Sequence, residues 1–145
     1  MDRYRQYEED CKKIRLVNQD LLTGFETWLL GLGLARKTSA GHRLNVDCFI
    51  NEFLLNEDAI AATEGVYHID LYLGDWFIEK AMWASPASIK SSAASIKKFY
   101  AFLLTQGLVT QSDVDLLAQT IKDEMPAWLK AMKRQQDRFD ADEDD

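Results

Sequence analysis

Apolar residues recur along this chain at spacings of three and four, the signature of helices that each bury one face. Leu21, Leu22, Phe25, Trp28, Leu29 and Leu32 share one stripe, which predicts a first core helix over residues 18 to 32. Gly31 and Gly33 loosen the chain before Ala35-Arg36-Lys37-Thr38-Ser39, where Thr38 or Ser39 can cap a second helix by accepting from its free backbone N–H groups. That helix should run to about Leu55, with Val46, Phe49, Ile50, Phe53 and Leu54 inward. Beyond the polar stretches Asn56-Glu57-Asp58 and Thr63-Glu64-Gly65, the residues Ile69, Leu71, Tyr72, Leu73, Trp76, Phe77 and Ile78 predict a third helix.

Ser85-Pro86 opens a fourth helix, because Ser caps well and Pro is tolerated in a first turn; Gly107 closes it. Thr110 and Ser112 are candidate caps of a fifth, with Asp113 and Asp115 favourable to its dipole and Val114, Leu117, Ala118 and Ile121 inward. Pro126 should break it, leaving a short last helix from Ala127 to about Arg134. A shift of 50 residues aligns Thr38 with Ser88, Val46 with Ile96, Phe49 with Phe99 and Leu54 with Leu104, so the second and fourth helices share a pattern. The expected fold is all-α, a compact bundle of four to five helices arranged as two packed helical hairpins.

Composition agrees with one such domain: 145 residues, 47% hydrophobic and 11% aromatic, fill a core, and 7 Gly with 2 Pro disfavour a turn-rich β fold. Charge subdivides the chain. Residues 137–145 hold six acids against Arg138 alone, −5 of the chain's −7, and predict a disordered acidic tail. Residues 1–17 form a charged N-terminal arm, leaving 18–136 as the helical domain. The longest apolar candidate for a membrane span, Leu29 to Leu34, is short and broken by glycines, so no membrane partner is expected. The start, MDRYRQYEEDCKK, lacks the basic-then-apolar order of a secretory signal, and Cys11 and Cys48 form no CxxC; both features point to a reducing cytoplasm.

The stretch Leu34-Ala35-Arg36-Lys37-Thr38 followed by Val46, Phe49 and Phe53 resembles the opening of the core-binding, SAM-like domain of tyrosine recombinases and phage integrases. Ser85-Pro86-Ala87-Ser88-Ile89, Ile96-Lys97-Lys98-Phe99-Tyr100, Phe102-Leu103-Leu104 and Gly107-Leu108 are similar to that domain's later helix and its closing turn. Met125-Pro126-Ala127-Trp128-Leu129 resembles the linker to the family's catalytic domain. The resemblance spans about residues 18 to 130. It implies a module that binds double-stranded DNA in recombination or integration, with a separate recombinase or another protein as a further partner. The family's catalytic domain, with its arginines, lysine, histidines and nucleophilic tyrosine, has no room in 145 residues, so no catalysis is implied. His42 stands where the family usually has an aromatic, and a packing role is expected of it.

At about 100° per residue, Lys90, Ser91, Ala94, Ser95, Lys97, Lys98 and Ala101 gather on one arc of the fourth helix, opposite Ile89, Ile96, Tyr100 and Leu103. Small residues let a duplex approach while Lys and Ser reach phosphates and base edges. From Lys80 to Ser112 the chain carries four lysines and no acid. Arg36, Lys37, Thr38 and Arg43 form a matching cluster at the second helix, whose N-terminus favours an anion. The bland alternative is a solvated helix face with Thr38 as a mere cap.

Enzymatic chemistry has no such pattern: Cys11, Cys48, His42 and His68 lack metal-ligand spacing, and no Gly-rich phosphate loop, GxSxG or HExxH occurs. No cofactor or metal is expected. A rival reading keeps the fold but not DNA: net acidity favours a protein-interaction or regulatory module in which Phe102, Trp83 or Trp128 anchors a partner.

Overall fold

A computed structural model describes residues 2–143, so the last two acids of the expected tail, Asp144 and Asp145, lie outside the described residues. The architecture is all-helical and compactly packed, with five helical segments and no strand among the described residues. Helix α1 spans Arg3–Gly31, and its cap Asp2 accepts from the Tyr4 N–H at 3.1 Å. Helix α2 spans Arg36–Asp47 and continues as a π-helical turn, Cys48–Phe53. Segment α3 is composite: a 3₁₀ turn Ala62–His68, then Ile69–Leu71, a π turn Tyr72–Trp76 and Phe77–Lys80. Helices α4 (Pro86–Thr105) and α5 (Gln111–Glu143) complete the chain.

Helix α1 packs on α2, α2 on α4 and α4 on α5, while α3 lies against α5 and the π turn of α2. The stripes predicted from periodicity form the shared core: Phe25 meets Phe99 edge-on at 5.4 Å, and Phe49 meets Tyr72 at 4.8 Å. Leu32 and Leu71, expected inward, are exposed; at Leu32 the chain has already left α1. Glycine shapes two places that position the site. Gly107, at φ +71°, lets the Leu108 N–H fold back to the Leu103 carbonyl at 3.0 Å and stop α4. Gly74 leaves room for Trp128 of α5, whose ring would meet a Cβ there at 2.7 Å. The Trp128 Nε1–H donates to Asp70 at 2.7 Å, fastening α5 to α3.

Four boundary expectations are corrected. Residues 3–17 are not a separate arm but the first half of α1: Cys11 is buried, and the Tyr7 hydroxyl donates to the Leu55 and Asn56 carbonyls. Neither Thr38 nor Ser39 caps α2, whose N-cap is Ala35 with no side-chain bond; Ser39 is instead wholly buried. Pro126 does not end α5. It sits on the exposed side, where the Lys122 carbonyl that loses its N–H partner can turn to water. Residues 137–143 continue α5 in place of a disordered tail, because each residue added to an anchored helix gains a backbone bond, and Met132 is buried one turn earlier.

Candidate nucleic-acid interface

The α2–α4 contact is built from small and polar residues. Ser92 and Ser95 of α4 and Ser39 of α2 are buried. At the crossing the Asn45 amide donates to Ser95 Oγ at 3.0 Å and to Ser91 Oγ at 3.2 Å. Ser95 Oγ donates to the Ser91 carbonyl at 3.1 Å and lies 2.8 Å from His42 Nδ1. With the Ser95 proton committed to that carbonyl, the bond to His42 requires a proton on Nδ1. Burial pushes the His42 imidazole below its ordinary pKa, and nearby Lys98 adds to the effect. Both favour the neutral ring, protonated at Nδ1, as a cross-helix strut.

These pairings run in opposite senses along the two helices, His42 to Ser95 and Asn45 to Ser91, so the α2 N-terminus lies toward the Lys97–Lys98 end of α4. Lys90, Ser91, Ala94, Lys97 and Lys98 are exposed, and Ala101 is half-buried. Lys90 and Lys97 stand about 10 Å apart along the axis, at the rise of about 1.5 Å per residue. Arg36, Lys37 and Thr38 are exposed on the first turn of α2, at the end of that helix nearer Lys97 and Lys98.

Two predicted contact residues leave the strip. Ser95 has no exposed surface; about 140° from Lys90, it lies at the edge of the arc, and α2 covers that edge. Arg43 is half-buried and pairs with Glu26 of α1 at 3.0 Å, which neutralises it and ties α1 to α2. The polar pair His42 and Asn45, which holds the strip's two helices together, is not visible in periodicity; His42 has the expected packing role, but through a hydrogen bond. Of the aromatic anchors proposed for a partner, Phe102 and Trp128 are buried in the core and only Trp83 is exposed, at 59%.

No group of three or more metal-binding side chains occurs among the described residues, both cysteines are free, and no described helix is long and apolar enough to cross a membrane. The chain matches no protein-family model, and comparisons with curated proteins and with solved structures give no match.

Proposed function

We propose that this chain is a double-stranded DNA-binding module, resembling a recombinase core-binding domain, that grips one face of a duplex through α2 and α4 and supports site-specific recombination or integration without catalysis of its own. One observation carries the reading: the exposed face of α4 bears Lys90, Lys97 and Lys98 with no acid along the helix, and Arg36 and Lys37 are exposed at the neighbouring end of α2. Such a strip suits phosphate contact, and Ser91 and Ala94 leave it shallow enough for a groove wall. A reducing cytoplasmic location belongs to the same proposal, supported by free Cys11 and Cys48.

The test is a duplex titration of the chain and of its Lys90→Glu/Lys97→Glu/Lys98→Glu variant. Because these three side chains are exposed, the variant keeps its fold. Affinity is expected to fall by about 100-fold or more at low salt, since three phosphate contacts become three repulsions. Equal affinity of the two proteins sinks the proposal.

The second reading, a protein-interaction module, rests on Met82 and Trp83, which are 99% and 59% exposed in the α3–α4 connection. Salt separates the two: phosphate binding weakens steeply between about 50 and 200 mM salt, whereas an apolar interface hardly responds.

A further inference from the structure

Between α2, α3 and the start of α4 lies a cavity of about 660 Å³, on the flank of the cationic strip. Its wall is a continuous aromatic run. Tyr72 stacks with Trp76 at 5.7 Å, Phe77 meets Tyr72 at 5.6 Å, and Trp83 meets Phe77 edge-on at 6.1 Å. Leu44 of α2, 70% exposed, also lines the cavity. Nothing in the fold requires an exposed leucine there, and none of the core stripes uses it.

The floor is polar and incompletely satisfied. Tyr72 is fully buried, and its hydroxyl, beside the Cys48 thiol, makes no hydrogen bond of normal geometry. The charged lining residues are Asp47, Glu52 and Lys80. Burial is the main cause that raises the pKa of Cys48 and of Tyr72; Glu52 adds to both, and Asp47 adds to that of Cys48. Two carboxylates against one lysine leave the charged lining net acidic.

We infer that this cavity is a binding site for a small organic cation, an ammonium group carried on an aromatic or branched apolar body. The volume is that of a small-molecule pocket, mostly apolar with a few placed polar groups. The apolar body lies between Leu44 and the accessible rings of Trp76 and Trp83, and the ammonium meets Trp76 with Glu52 and Asp47 as counter-charges. This inference stands independently of DNA binding.

The test is calorimetric titration of the full chain with phenethylammonium, with 3-phenylpropionate as the anionic analogue and 2-phenylethanol as the neutral one. Phenethylammonium should bind saturably and about tenfold or more tighter than 3-phenylpropionate, with the alcohol between them. Glu52→Gln should reduce that preference several-fold, and Trp83→Ala should remove measurable binding. Both side chains are exposed, so helicity by circular dichroism should be unchanged; if Trp83→Ala nevertheless unfolds, the Glu52→Gln comparison decides alone. No saturable binding, an anion bound as tightly as the cation, or a preference unchanged in Glu52→Gln overturns the inference.

Discussion

Ser95 and His42 show how a single side chain changes role once its neighbours are known. On a helical wheel Ser95 stands beside Lys98 and Ser91 and looks like a contact for a ligand; in the folded chain it is the centre of a three-way bond between α2 and α4. Ser95→Ala leaves the half-buried His42 without its acceptor and Asn45 with Ser91 alone, and a polar group so orphaned costs about 1–3 kcal/mol. Urea denaturation should register a loss of that size, and an unchanged midpoint would mean that water replaces the hydroxyl. His42 gives a pH signature. Its folded pKa lies below the ordinary value of about 6.5, so the unfolded chain takes up the proton first as pH falls. The His42 contribution to stability is present above the unfolded value and lost as pH drops through the folded one. A histidine NMR titration should place the folded pKa below 6.5, with the proton on Nδ1 above it. His42→Gln should flatten the fall in unfolding free energy over that window; an equally steep fall would assign it to other groups.

The elements follow local rules wherever the local rule is strong. Ser85 and Ser88 form a reciprocal capping box with Pro86 next in line, and Thr110 and Asp113 do the same for α5, with bonds of 3.1 and 2.9 Å. Those bonds hold the Asp113 carboxyl below its ordinary range. Where the local rule is weaker, packing overrides it. A proline in mid-helix argues for a break, yet Leu117 and Ile121 before it and Trp128 and Met132 after it are all buried, so both halves are anchored on one surface and the helix persists. Pro126→Ala should therefore stabilise the chain, by about 1–3 kcal/mol, through the restored bond and better helix propensity. Chemical denaturation checks this; a destabilised variant would show that the proline sets a bend on which Trp128 depends. The π turns at Cys48–Phe53 and Tyr72–Trp76 lie outside what periodicity can give, because each adds a residue to a turn that the spacing of apolar positions does not mark. Asn18 of α1 explains part of the first, since its buried amide donates to Asn51 at 2.8 Å, and Asn51 in turn donates to Asp47 at 2.6 Å.

At the scale of the whole molecule, the −7 net charge and the cationic strip are reconciled by segregation. Acids crowd the end of α5, while α4 carries none. In the proposed function this asymmetry has a consequence, because the C-terminal acids compete with DNA for the same cations. Removing residues 137–145 should strengthen binding to random duplex several-fold at low salt, and the gain should shrink as salt screens both terms. Residues 137–142 are exposed, so the truncation spares the core. A truncated chain that binds no tighter, measured beside the full one, would deny the tail that role.

Much of this protein was decided locally. Apolar spacing placed most of the inward residues, Leu32 and Leu71 excepted, and serine, proline and glycine placed the ends of α4, because caps and turns depend on a few adjacent backbone groups. The lysine-bearing face of α4 was legible for the same reason, since a helix of known period fixes which residues share its outer side. Tertiary structure decided what one helix does to the surface of another. It buried Ser95, Phe102 and Trp128, paired Arg43 with Glu26, joined residues 3–17 to the core, carried α5 through Pro126, and closed an aromatic cavity from three elements. The physical reason is one of range: periodicity and capping are set by neighbours within about four residues along the chain, whereas burial and pairing depend on which surfaces meet, and those partners are dozens of residues apart.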